Sequence, residues 1–573
     1  MNTKNILKLV CFYLFTLTNI SKAQNFEWAK AFGGTGSDNG ASIITDPAGN
    51  VYTTGYFHGT VDFNPSPTET YNLTAIGSST FITKFDVNGN FIWAKHFEST
   101  DGNFPTSIAL DNNNNIYTTG HFYGTVDFHP DSGIFNLTSA GQGDIYISKL
   151  DTNGNFIAAI RLGSTSTDIV NAICLDASNN MYIIGQFEGT VDFDPGSGVQ
   201  NLTSTGNYPD IFILKLNDSG GFFWVKKITG TGISYPNAIE IDNTGDICIT
   251  GFFDGIIDLN FESGLDSHTT IGSTDAFILK LNTSGNFIWG KTFGGISVDH
   301  AIDVSFDNSG NIYTTGYFSD TVDFDPGAET FNISSIGALG TVDTFISKLD
   351  TDGNFLGALS LGGSDSITSN SINIDSNENV YITGEFRRTA DFNPGADTHN
   401  IASINNSRDI YICKLNSLGD FIDVFTIGGM YDDDYVKDST IDTLGNVYTI
   451  GNFTNTIDFN SDSGVDYLVT SSGAGDVFIH KRNGFETLSI IDESFKNSVS
   501  VFPNPIDSKA TINLGASYNN VTLHITTITG QLVTTKNYID TNTLDFNING
   551  HSGIYFAEIL ADTQKATLKI IKQ

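Results

Sequence analysis

Residues 115–120 read Asn-Ile-Tyr-Thr-Thr-Gly, residues 124–128 read Gly-Thr-Val-Asp-Phe, and residues 144–150 read Asp-Ile-Tyr-Ile-Ser-Lys-Leu. This phrase, led by an aromatic run such as Phe91 to Lys95, is written seven times. The register position of Trp28 returns at Trp93, Ala158, Trp224, Trp289, Gly357 and Asp423, with spacings of 65, 65, 66, 65, 68 and 66 residues. So regular a period describes one supersecondary unit that buries its apolar faces by stacking on copies of itself.

Each unit holds four strand-like runs, which in the first unit are Ser42 to Thr45, Val51 to Thr54, Phe81 to Phe85 and Phe91 to Lys95. Asp46-Pro47-Ala48-Gly49-Asn50 separates the first run from the second, and Asp86-Val87-Asn88-Gly89-Asn90 the third from the fourth. Asn and Gly between apolar runs supply the positive φ of a tight hairpin turn, so runs one and two pair, as do three and four. No helical period survives in the repeat. Four-stranded sheets that are apolar on both faces pack face to face around an axis, and the expected fold is all-β: a seven-bladed β-propeller of antiparallel blades. An open solenoid, or a ring of six or eight blades, is the alternative. The phase of the ends tells a ring from a solenoid, because the chain enters on a fourth-type strand, Phe26 to Phe32, and its last unit stops after a third-type strand, Val477 to Lys481. Pairing these two closes a ring and removes two open edges.

The units share Gly-Asn-x-Tyr-x-x-Gly and Phe-x-x-Lys-Leu elements, and in these they resemble the bacterial propeller-repeat family abbreviated SBBP. The resemblance covers all seven units and implies the fold. It implies no activity.

The pattern stops after Arg482. Residues 484–498 read as a linker, and then come Val501-Phe502-Pro503-Asn504-Pro505, Thr529-Gly530-Gln531-Leu532-Val533, Gly553-Ile554-Tyr555-Phe556 and Lys569-Ile570-Ile571-Lys572. Alternating apolar runs with Gly and Asn turns predict a small C-terminal β-sandwich. The motifs and their order resemble the C-terminal sorting domain of the type IX secretion system of Bacteroidetes. That resemblance implies export across the outer membrane, with the secretion machinery as the partner of residues 499–573 and a secreted or surface-attached product. At the other end, Lys4 and Lys8, an apolar stretch from Leu9 to Leu17, and Ser21-Lys22-Ala23 read as a signal peptide over residues 1–23. The propeller is expected over residues 24–483. No other segment approaches membrane-spanning length, so no transmembrane segment is expected after signal removal.

The chain carries 27 basic and 64 acidic side chains, a net charge of −37. Without the three lysines of residues 1–23 these become 24 and 64, a net charge of −40. A field of this sign argues against nucleic acid and anionic lipid as partners. Cys174, Cys248 and Cys413 occupy three different register positions and read as small buried hydrophobes rather than a disulfide set.

A position identical in every repeat is scaffold, since one ligand on the axis cannot use seven peripheral copies. By this rule Lys84, Lys149, Lys215, Lys280, Lys348, Lys414 and Lys481 are structural, their amines paired with an acid from another strand or blade. Asp192 with Asp194 and Asp323 with Asp325 stand two residues apart and could ligate Ca²⁺. The same Asp-Pro-Gly chemistry caps a tight turn, which is the preferred reading, and no cofactor is expected. Function is expected where repeats disagree, in the loops between the fourth strand of one blade and the first of the next. The ligand-binding candidates there are Asp38, Asp101, Asp168, Tyr235, Asp299, His300, Asp365, Tyr431, Asp432, Asp433 and Asp434, around a funnel shared with the long second-to-third connections. No Gly-x-Ser-x-Gly, His-Glu-x-x-His or P-loop occurs. The expected function is a secreted or surface binding or scaffold propeller with a glycan or protein ligand. The alternatives are an extracellular polysaccharide lyase or hydrolase using funnel acids and His300, and a calcium-stabilised adhesive module.

Overall fold

The computed structural model describes residues 26–262, 264–338, 340–429, 434–460, 467–471, 473–483, 498–506, 509–527, 532–548, 553–561 and 564–572. The signal peptide expected over residues 1–23, residues 484–497 of the expected linker, and Tyr431, Asp432 and Asp433 lie outside the described residues. The chain divides into two compact units, Met1–Phe485 and Glu486–Gln573.

In the first unit each repeat folds into one antiparallel ladder. In the second repeat, Asn103–Leu110 pairs with Ile116–Phe122, which pairs with Asp144–Leu150, which pairs with Phe156–Leu162. The turn chemistry behaves as its residues dictate. Asp151 Oδ1 accepts the amides of Asn153 (2.8 Å) and Asn155 (2.9 Å), its Oδ2 takes the Asn155 side chain (2.8 Å), and Gly154 sits at φ 78°. An aspartate capping its own turn, followed by a residue that tolerates positive φ, fixes the hairpin register.

Phe26–Phe32 pairs antiparallel with Asp476–Arg482, Trp28 opposite Lys481 and Phe32 opposite Val477. The first strands touch in the order Asn39–Thr45, Asn103–Leu110, Ile169–Leu175, Ser234–Ile241, Asp299–Phe306, Ile367–Ile374, Tyr435–Ile441, and then Asn39–Thr45 again. Among the described residues the result is a closed ring of seven four-stranded sheets, a β-propeller with the first strands innermost. Its core lies between sheets: Tyr182, Ile184, Ile211 and Ile213 of one pack with Ile247, Ile249, Phe277 and Leu279 of the next.

The repeated lysine joins neighbouring sheets. Lys280 Nζ lies 3.2 Å from Asp242 Oδ2 of its own sheet and 3.4 Å from the Thr351 carbonyl of the next. Lys215 repeats this with Asp176 (3.7 Å) and the Thr283 carbonyl (3.2 Å), and Lys481 joins Glu27 (3.0 Å) to the Val87 carbonyl (3.2 Å) across the closure. A Tyr from the second strand lies beneath several of the amines, as Tyr117 does under Lys149 at 4.7 Å.

The long second-to-third connections depart from the expected funnel. Thr125–Asp127 and Asn136–Thr138 form a short hairpin that pairs with the fourth strand of the preceding sheet, Glu98 opposite Asp127 and Ser99 opposite Val126. Ile256–Asp258, Thr389–Asp391 and Thr456–Asp458 do the same. Much of the connection is thus used to cover outer edges, because an unpaired edge strand exposes a row of backbone donors and acceptors. Cys174, Cys248 and Cys413 are free thiols.

The described residues of the second unit form a sheet of five strands in which Ser500–Phe502, Lys509–Thr527, Gly553–Ala561 and Gln564–Lys572 run in that order and Leu532–Asn547 pairs with Lys509–Thr527. The register breaks between Asn513 and Tyr518. Ile512 before the break and Leu514 within it share one core with Leu523 and Ile525 after it and with Ile559 of the neighbouring strand. One five-stranded sheet of the described residues thus carries both sides of this core.

Candidate functional site

Every second strand ends in Gly-x-Phe, and x differs from repeat to repeat: Tyr56, His121, Gln186, Phe252, Tyr317, Glu385 and Asn452. Opposite x on the innermost strand stand Asn39, Phe104, Ile169, Tyr235, His300, Thr368 and Tyr435. These fourteen positions ring one mouth of the propeller. The glycine before x is required there: a Cβ on Gly251 would clash with the Tyr235 carbonyl oxygen, and one on Gly316 with that of His300. Just beyond, every innermost strand carries a one-residue register shift, such as the one that skips Asn237 between Pro236 and Ala238. A β-bulge bends the strand and re-aims side chains near it. The skipped Asn237 donates its side-chain amide to the Ala301 carbonyl of the next sheet (2.7 Å), and Asn370 does so to Val436 (3.1 Å).

Aromatic rings from adjacent sheets meet at this mouth. Phe252 and His300 stack with centroids 3.7 Å apart and planes 5° from parallel, and Tyr235 lies 5.6 Å from Phe252 at 11°. His300 is held from both nitrogens, by the Tyr317 hydroxyl at Nδ1 (2.7 Å) and the Thr274 hydroxyl at Nε2 (2.9 Å). Burial lowers its pKa to about 4, so the ring is neutral at ordinary pH. Tyr56 and Phe104 meet edge to face at 5.1 Å, and Phe104 stacks on His121 at 5.5 Å. Elsewhere on the rim, Arg408 lies 4.8 Å and Lys437 5.4 Å from the Tyr435 ring. Glu385 accepts the Val436 amide (3.0 Å) and the Thr368 hydroxyl (3.2 Å).

Deeper along the innermost strands lie three carboxyls. Asp303 Oδ2 accepts the Ile372 amide of the next sheet (2.9 Å), and Asp438 Oδ2 accepts the Ile43 amide (3.0 Å) and the Ser42 hydroxyl (2.7 Å). Each is half-buried by accessible surface, and that surface belongs to a strand lining the axis rather than the exterior. Desolvation in this setting pushes Asp438 up to about 6, Asp303 to about 7 and Glu240 to about 8, the Asp303 charge adding to the last.

The loop acids expected to point into a funnel have another place. Asp38, Asp168 and Asp299 are buried, at 1%, 0% and 0% exposure. Each braces its own loop: Asp38 accepts the amides of Gly34 (2.6 Å) and His58 (3.0 Å), Asp168 those of Ser164 (2.6 Å) and Glu188 (3.0 Å), and Asp299 those of Gly295 (2.7 Å) and Ser319 (3.3 Å). Asp434, one residue before Tyr435 in the same register, is also buried. Asp101 is exposed beside the Thr100 hydroxyl (3.0 Å), and Asp365 meets Arg388 Nε at 3.2 Å. Of the candidates, Tyr235 and His300 reach the mouth. Tyr56, Phe104, His121, Phe252, Tyr317, Glu385 and Tyr435 escaped the sequence reading, although x is the one changing letter in a fixed phrase and could have marked most of them.

The aspartate pairs considered for Ca²⁺ cap turns. Asp192 Oδ1 accepts Asp194 N (3.1 Å) and Gln200 N (2.7 Å), and Asp194 Oδ1 accepts Gly196 N (2.8 Å). Asp323 and Asp325 repeat the arrangement with Phe331 N (2.8 Å) and Gly327 N (2.7 Å). Among the described residues no group of three or more His, Cys, Asp or Glu is placed to hold a metal ion.

Residues 27–59 match the beta-propeller repeat family, and residues 500–573 match the secretion system C-terminal sorting domain family. The tail is a type IX sorting domain. This domain marks the chain for secretion or the outer cell surface. An uncharacterized WD repeat-containing protein of Acanthamoeba polyphaga mimivirus is 24% identical over 437 residues, 63% of this chain, which spans 31% of that relative's length. Among solved structures, PorZ, a surface component of the type-IX secretion system of Porphyromonas gingivalis, is similar at 11% identity and a TM-score of 0.29, over 95% of this chain and 75% of PorZ. A Bacteroides caccae protein of unknown function is similar at 8% identity and a TM-score of 0.29, over 53% of this chain and 78% of that one. No described helix is long and apolar enough to cross a membrane.

Proposed function

We propose that the propeller is a binding module whose aromatic mouth takes an uncharged glycan. The observation that carries this reading is the stack of Phe252 on His300, formed between two sheets at a level where the repeats disagree. Aromatic faces bury the C–H faces of sugar rings, and the neighbouring Tyr235, Tyr317, Thr368 and Glu385 supply polar partners for hydroxyls. The axial carboxyls and the net charge of −37 disfavour polyanions. A neutral imidazole at His300 suits an uncharged ligand as well.

A glycan array probed with the secreted chain tests the reading. Enrichment on neutral oligosaccharides that is lost in Phe252→Ala and in His300→Ala is the expected result. Binding that is absent, or indifferent to both substitutions, would remove it.

A second reading, glycan cleavage, is favoured by one observation: Glu240 and Asp303 are neighbouring carboxyls with raised pKa values, the pattern of an acid–base pair. Product release from a bound glycan that disappears in Glu240→Gln would select it over simple binding.

A further inference from the structure

We infer that the junction between the fifth and sixth sheets holds a binding site for an indole ring, created by the absence of a tryptophan. In four repeats an indole occupies the outer groove between neighbouring sheets, at Trp28, Trp93, Trp224 and Trp289. Each stands opposite the repeated lysine, respectively Lys481, Lys84, Lys215 and Lys280. Each also lies against the glycine of the next sheet's third-to-fourth turn, so closely that a Cβ on Gly89 would meet Trp28 at 2.7 Å and one on Gly353 would meet Trp289 at 3.0 Å. Trp28 Nε1 donates to the Val87 carbonyl at 3.1 Å, and Trp289 Nε1 to the Thr351 carbonyl at 3.2 Å. A second-strand tyrosine closes the inner side, as Tyr182 does 6.1 Å from Trp224.

In the fifth repeat this position is Gly357, opposite Lys348. A side chain begun at Gly357 would meet nothing within 4 Å. The space is a cavity of about 320 Å³ lined by Tyr313, Lys348, Leu359, Val380 and Leu415, with the turn at residues 416–419 forming its far wall. Every wall of the indole groove is therefore present. Tyr313 stands where Tyr182 does, Lys348 keeps its amine over that ring at 4.5 Å, and Ser417 holds the turn position of Val87 and Thr351, whose carbonyls accept an indole N–H. The mouth is apolar, with Leu356 53%, Phe331 42% and Leu418 84% exposed. In the second repeat, where Ala158 replaces tryptophan, Ile160 covers the facing Gly220. Leu359 leans over Gly419 in the same way, yet the cavity remains.

The ligand class follows from the four filled copies: a flat bicyclic aromatic with one N–H donor, arriving free or as a tryptophan side chain. A groove with these apolar walls favours an aromatic guest because seating the ring removes apolar surface from water on both partners.

The test is titration of the full secreted chain with indole and, separately, with N-acetyltryptophanamide, followed by calorimetry and ligand-observed NMR. Saturable binding of either probe in the millimolar range or tighter is expected, and the stronger one identifies the source of the ring. Gly357→Trp should fill the groove from within, raise Tm and weaken binding by about tenfold or more. Leu418→Asp, at an exposed rim position, should also weaken binding with Tm unchanged, and serves if Gly357→Trp does not fold. No saturable binding by the unaltered chain, or binding unaffected by either substitution, would overturn the site.

Discussion

Trp28 lies directly opposite Lys481, so the first described strand of the chain and the last strand of the seventh sheet are partners in one ladder. Trp28, Ala29 and Phe32 are buried there, and Tyr467 donates its hydroxyl to the Ala29 carbonyl at 3.2 Å. A chain lacking residues 26–32 would expose the edge of Asp476–Arg482 and forfeit two large buried side chains, each worth about 1.5–3 kcal/mol. The expected outcome is a Tm lowered by several degrees together with concentration-dependent association, measured by thermal melts and size-exclusion chromatography. An unchanged Tm would mean the ring does not depend on its closure.

Lys280 and Asp242 are 3% and 4% exposed, whereas Lys215 and Asp176 are 12% and 18% exposed. Removing one partner of a buried pair leaves the other charge desolvated, so Lys280→Met should cost about 3 kcal/mol. The better-hydrated Lys215→Met should cost about 1 kcal/mol. Urea unfolding of the two variants checks the order, and equal losses would show that the carbonyl contacts rather than the ion pairs carry the stability.

Stability should rise as the pH falls from 8 to about 6.5. Asp299 and Asp303 have folded pKa values near 7, Asp168 and Asp438 near 6, and Glu240 near 8, all raised first by burial. The folded state then binds more protons than the unfolded state between roughly pH 4 and these values, and that protonation favours folding. Below about 6.5 the buried neutral His121 and His300, near 4, and His480, near 3, oppose the trend, since the unfolded chain protonates them first. Turn aspartates such as Asp111 and Asp307, whose pKa values are lowered by side-chain and amide hydrogen bonds despite desolvation, lose their contribution only below about pH 4. Tm against pH should therefore flatten between 6.5 and 4 and fall beyond. A Tm that climbs steadily from pH 5 to 8 would contradict this.

Chelation should leave Tm unchanged, because Oδ1 of each of Asp192, Asp194, Asp323 and Asp325 is engaged by backbone amides and, among the described residues, no group of three or more His, Cys, Asp or Glu is placed to complete a metal site. One bound cation would instead add about 2.7 kcal/mol at a hundredfold excess over its dissociation constant. A calcium-dependent upward shift reversed by chelator would reassign these turns as a metal site.

Asp299 and its neighbour His300 should separate structure from binding. Asp299→Ala leaves the amides of Gly295 and Ser319 without their acceptor in a buried loop, at a cost of about 2–4 kcal/mol. His300→Ala removes half of the Phe252 stack, and its larger expected effect is on glycan retention. The reverse pattern, a stable Asp299→Ala chain that has lost its ligand, would return the site to the loop acids.

The repeat, its hairpins and the phase of its two ends were legible because each is set by local rules: a period, a turn that demands positive φ, and a strand type left over at each end. The tail was legible for the same reason, its motifs lying in order along one segment. Alternation assigns a side chain to one face of a strand, but it cannot say which face of a loop residue meets solvent. Asp299 and His300 are adjacent in sequence, and tertiary structure alone turned the carboxylate into a buried clasp and the imidazole into the mouth. The bulge that re-aims each innermost strand, the hairpins that cover the neighbouring edges, the axial Glu240, Asp303 and Asp438, and the space left at Gly357 all arise between sheets. They depend on contacts between residues some 65 positions apart, and no local pattern encodes such contacts because their energy exists only once the ring has closed.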